Sequence, residues 1–194
     1  MSGSAAVRPG PQTVALLRGG PRAAVKVAVL ALHLRGSVAA GPTGSMRTSA
    51  PSPGTSSASG IALERAVYSS LHLPSTMPEL MVRPRVRRAL AELRSEAVAA
   101  GLLRRLPPRR TRAARRLLRD LRASAPAPAG PEGLSPAEIL LAVALYGDTS
   151  LKALVPHFTR NAGLAGHVRR EPGPAWDRGG GGSDFSGCAG GWGA

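Results

Sequence analysis

Seven of the fourteen residues in RRTRAARRLLRDLR (109–122) are arginine, and Asp120 is the single acid among them. The guanidinium group stays charged at any physiological pH, so its chemistry is recognition: forked hydrogen bonds to phosphate or carboxylate oxygens. At about 100° per residue of helix, Arg109, Arg112, Arg115, Arg116, Arg119 and Arg122 gather within about 140° of arc. Ala113, Ala114, Leu117, Leu118 and Leu121 take the opposite arc, and Arg110 alone falls among them. Like charges three and four residues apart repel and weaken a helix. A polyanion relieves that repulsion.

RNA or a ribonucleoprotein is therefore the first expected partner, with the six arginines on phosphate and Arg85, Arg87 and Arg88 assisting. Such binding weakens steeply with salt. No aromatic residue lies within 83–122, so contacts there would read backbone and shape and not stacked bases. An anionic membrane surface is a second expected partner. A competing expectation makes the chain an interaction adaptor. In that case Leu117, Leu118 and Leu121 dock in the groove of an acidic protein partner. In the RNA account, the hairpin bearing Ile139, Leu140 and Val143 holds a protein partner or packs back on the core. A third account needs no function, because arginine, alanine, glycine and proline are what GC-rich coding sequence supplies.

Other chemistry is missing from the pattern. His157, His167 and Cys188 stand too far apart for a zinc module. The glycine run 179–182 lacks the lysine and following helix of a phosphate loop. Cys188 is the only cysteine, which excludes an intramolecular disulfide framework. Neither a nucleophile–base pair nor a carboxylate pair stands out, so the expectation is a non-enzyme without metal or cofactor.

The elements that would hold the arginines are helices. Aromatics are 3% of the 194 residues, and 24 Gly with 18 Pro approach the composition of a partly disordered chain. The expected fold is mostly α, a small helical core of Leu, Val and Ala with extensive disordered N- and C-terminal segments. Residues 61–122 read as a basic helical region. Leu63, Val67 and Leu71 mark a first helix closed by Pro74, and Thr76 with Glu79 offers a capping box of barely one turn before Pro84. Val86, Leu90, Leu93 and Ala97 stripe a second helix that ends near Gly101 or, at the latest, at Pro107-Pro108. Residues 83–122 carry fourteen arginines against Glu92, Glu96 and Asp120, most of the net charge of +15.

After a Pro/Ala linker (123–133), an apolar helical hairpin is expected at 134–162, with its paired helices at 134–158. Ser135, Pro136 and Glu138 form an N-terminal cap and box, and Gly147 supplies the C-terminal turn. The tail, 163–194, is expected to be disordered. Its Arg178, Trp176, Phe185 and Trp192 among glycines resemble the composition of Gly-rich RNA-binding tails.

Residues 1–60 contain six basic residues and no acid. That pattern predicts a targeting leader at 1–36, mitochondrial in type, because Arg35 two residues before Ser37 resembles an organellar processing site. A helix after Pro21 would carry Arg22, Lys26 and His33; alternating Val25, Val27 and Val29 also allow a strand. A secretory signal with an apolar run at 23–34 competes, and nuclear or cytoplasmic residence without targeting is the remaining alternative. The run is too short, and Lys26 interrupts it, for a transmembrane span. Residues 37–60 read as a disordered Ser/Pro/Gly linker.

Overall fold

A computed structural model of the chain describes residues 9–49, 62–105 and 110–164, and it is mostly helical. Eight α-helices and a two-stranded sheet occur among the described residues. The expected disordered ends and the latter half of the linker, at 1–8, 50–61 and 165–194, lie outside them, as do residues 106–109.

The centre of the core is the segment that reads in sequence as a leader. Helix α1 (Pro11–Leu34) is buried along Val14–Leu17 and again along Ala23–Leu32. A helix apolar on every side has to be buried on every side, and AAVKVAVLAL is such a stretch. The helix is broken at Gly20, whose φ of +76° suits only glycine, and Pro21 restarts it from the first-turn position that proline tolerates. A straight helix of 24 residues would hold its ends about 36 Å apart. Yet Gln12, in the first turn, and Arg35, just past the last, donate to the two oxygens of one carboxylate, that of Glu64. The two limbs of α1 therefore fold back on each other at Gly20, and Glu64 ties their open end. A leader cut off near Ser37 would take this hairpin with it, and in the full chain residues 11–34 supply much of the core.

The linker expectation fails over 38–48. Strands β1 (Val38–Ala40) and β2 (Met46–Thr48) pair antiparallel, Val38 opposite Thr48 and Ala40 opposite Met46. Met46 is fully buried and exchanges both backbone hydrogen bonds with Ser75, at 2.9 and 3.0 Å. Burial of Val38 and Met46 decides against solvation here, because a Ser/Pro/Gly composition does not register two well-placed apolar side chains.

The remaining helices wrap α1. Helix α2 (Ala62–Ser70) packs on α1 and on α4 (Pro84–Ala99), whose buried stripe is Val86, Ala89, Leu90, Leu93 and Ala97. Between them α3 (Met77–Val82) has the Thr76–Glu79 box, and it is longer than the single turn expected. Helix α5 (Arg112–Ser124) follows, started by Thr111, whose hydroxyl accepts from the Ala114 amide. No helix or strand occupies 125–135. Helix α6 (Pro136–Tyr146) then makes the most extensive packing on α1, through Ile139 and Ala142–Leu145. Its Ser135 cap and Ser135–Glu138 box form as the sequence predicts.

Gly147, at φ +73°, separates α6 from α7 (Asp148–Leu154). Pro156 does more than end α7: it opens α8 (Pro156–Asn161), so three helices stand where a hairpin was expected. Phe158 of α8 stacks on His33 of α1 with ring centroids 3.7 Å apart, closing the core beside the β-hairpin.

Candidate polyanion interface

Helix α5 divides its faces as the sequence requires. Ala114 and Leu118 are buried, Leu117 and Leu121 half-buried, and Arg112, Arg115, Arg116, Arg119 and Arg122 exposed. Exposure at positions i, i+3, i+4 and i+7 gives Arg112, Arg115, Arg116 and Arg119 one common face. The ion pairs among the described residues are Lys26–Asp148 and Arg35–Glu64, and neither involves an α5 arginine. Arg109 lies outside the described residues.

Three arginines in or near α5 also have structural work. The last carbonyls of a helix lack intrahelical donors and carry partial negative charge. Arg18 Nε donates to Ala144 O at 2.8 Å, and Arg122 Nη2 donates to Leu145 O at 3.4 Å, both in the last turn of α6. Arg110 Nη2 does the same for the broken end of the first limb of α1, donating to Arg18 O at 2.7 Å. Each guanidinium has five N–H donors, so one such bond leaves most of the fork unused. Burial holds the Arg18 guanidinium below its ordinary pKa, and repulsion from Arg122 and Arg110 acts in the same direction against the attraction of Asp148.

No family model matches the chain, and no curated protein or solved structure does. The site is therefore argued from its own residues.

Arg85, Arg87 and Arg88 are exposed on α4, as the sequence expects. They do not join the α5 face. Arg85 and Arg88 line a separate groove with Arg65 of α2, while Arg115 and Arg110 line a cleft against the turn of α1. The leucines offered to a protein partner face inward: Leu118, Ile139 and Val143 are at most 8% exposed, and Leu117, Leu121 and Leu140 pack partly buried against the same core. Full docking of Leu118, Ile139 and Val143 on a partner would require the molecule to open. Among the described residues no helix is long and apolar enough to cross a membrane, and no cluster of metal-capable side chains occurs.

Sequence reasoning missed Arg18, Arg65 and Thr111. Thr111 carried a readable signal, a hydroxyl residue directly before the periodic run. Arg18 and Arg65 carried none, since only the fold-back of α1 and the packing of α2 on α4 bring them to other arginines.

Proposed function

We propose that the chain is a non-enzymatic RNA-docking protein. The exposed face of α5 contacts the phosphates of RNA, free or within a ribonucleoprotein, through Arg112, Arg115, Arg116 and Arg119. The observation that carries this reading is four arginines on one helix face with no acid pairing any of them among the described residues. Burial supports RNA over the alternatives. A helix that lies on a lipid surface, or in a partner's groove, must offer its apolar side, and α5 turns Ala114 and Leu118 into its own core. Phosphates ask only for the charged side. The absence of aromatic residues in 83–122 makes the contact one to backbone and not to base.

The reading does not depend on targeting by residues 1–36. It is tested by anisotropy titration of a fluorescent polyuridine strand with the full chain and with the quadruple variant Arg112→Gln/Arg115→Gln/Arg116→Gln/Arg119→Gln. The variant is expected to bind about tenfold more weakly or worse, because the phosphates it no longer neutralises keep their counterions. Its circular dichroism should be unchanged. Equal binding by both proteins overturns the reading. Binding of anionic vesicles in preference to RNA would move α5 to the membrane account.

A further inference from the structure

The turn of α1 places a second group of cations beside the α5 face. A cleft is lined there by Arg18, Gly19 and Gly20 from the turn, by Leu103, and by Arg110 and Arg115 from the other side. Arg18 is fixed by its bond to Ala144 O, and its guanidinium lies against Gly147, where even a Cβ would come within 2.5 Å of it. Arg110 is fixed by its bond to Arg18 O. Each of the two side chains makes one such bond and retains most of its donors. Arg115 is exposed, its side chain makes no hydrogen bond among the described residues, and it lines both this cleft and the groove along α5. The nearby carboxylate of Asp148 is held by Lys26 at 2.6 Å.

Three arginines lining one cleft beside the glycine backbone of the turn offer forked donors suited to a tetrahedral oxyanion, and no Cβ from Gly19 or Gly20 stands in the way. We infer that the cleft formed by Arg18, Arg110 and Arg115 at the turn of α1 is a phosphate site, which clamps one phosphodiester of the RNA strand lying along α5. Arg115 joins the two surfaces into one track, the cleft fixing the strand's position and the open face adding looser contacts. The assignment of RNA as the source of the phosphate rests on the functional reading above; the site itself does not.

Two arms separate those claims. In the first, the full chain is melted in rising inorganic pyrophosphate at constant ionic strength. The melting temperature of the wild type rises as mass action requires. It does not rise for Arg110→Gln, and it still rises for the double variant Arg116→Gln/Arg119→Gln. Arg115→Gln, whose side chain caps nothing, loses the response as well and guards against a folding defect in Arg110→Gln. No rise in the wild type, or an equal rise in Arg110→Gln and Arg115→Gln, overturns the inference.

In the second arm, polyuridine affinity is measured across a salt series. Arg110→Gln is expected to lower the slope of log K against log salt by about 0.7, one single-strand phosphate. A missing pyrophosphate response with an unchanged slope assigns the cleft to free phosphate and overturns the RNA clamp. If Arg116→Gln/Arg119→Gln leaves RNA binding intact while the pyrophosphate response persists, the helix-face reading fails and the phosphate site stands.

Discussion

Lys26 is the one charged side chain inside the AAVKVAVLAL limb of α1, and it is only 7% exposed. It is tolerated because Asp148, in the first turn of α7, meets its Nζ at 2.6 Å. Removing one partner of a buried pair strands the other charge in the core, so Asp148→Asn is expected to lower unfolding free energy by about 3 kcal/mol. Adding Lys26→Met should restore most of that loss. Denaturant unfolding of the three proteins checks this, and a loss below about 1 kcal/mol in Asp148→Asn contradicts the pairing. Glu138 shows residue chemistry at the surface. Hydrogen bonds from the Ser135 hydroxyl, and then from its backbone N–H, hold the Glu138 carboxyl below its ordinary pKa. A depressed folded value means that this contribution is complete above the ordinary carboxylate range and disappears as pH falls through the folded value. An NMR titration should give Glu138 a midpoint below that of glutamate in the unfolded chain, and Ser135→Ala should return it upward; a midpoint at or above the unfolded value contradicts the box.

At the scale of elements, α1 decides the fold. Residues 1–36 look expendable in sequence, because absence of acids and a short apolar run are shared by leaders and by all-round buried helices. What separates the two is whether other elements exist to cover every side of the run, and that is a property of the folded chain. The structure answers with α6 on one side and α2 and α4 on another. Deleting residues 1–36 should therefore abolish cooperative thermal unfolding, whereas deleting 1–8 should leave it intact. A truncated chain that still melts cooperatively refutes the central place given to α1. Elements with local signals were legible: the stripe of α4, the two arcs of α5, and the Ser135–Glu138 box of α6 all lie where periodicity and capping put them. The β-hairpin was not, because its pairing of Met46 with Ser75 links residues through contacts no local window contains. Nor was the fold-back of α1, although Gly19-Gly20-Pro21 is a helix breaker; its consequence depended on Glu64 receiving both Gln12 and Arg35.

For the whole molecule, charge and packing are segregated. A core of Leu, Val and Ala holds the helices, and arginine covers the outside at a net +15. This arrangement explains why half the candidate site could be read directly. The face of α5 is encoded by the 3.6-residue period, and exposure follows from the same period. The cleft was invisible, since Arg18 stands more than ninety residues from Arg110 and Arg115 and meets them only through the turn of α1. Segregation also fixes what a ligand does to the molecule. Mutual repulsion among the α5 arginines opposes folding, so a polyanion that neutralises them should raise the melting temperature more than an equal ionic strength of sodium chloride, through both binding and relief of repulsion.

That the unpaired arginines of α5 bind phosphate is tested most directly by the salt dependence of polyuridine binding to the full chain. With about 0.7 counterion released per phosphate, contact by Arg112, Arg115, Arg116 and Arg119 predicts a slope of log K against log salt of about −3, steeper by about 0.7 if the α1 cleft adds its own contact. A slope near zero, or no binding at low salt, contradicts the claim.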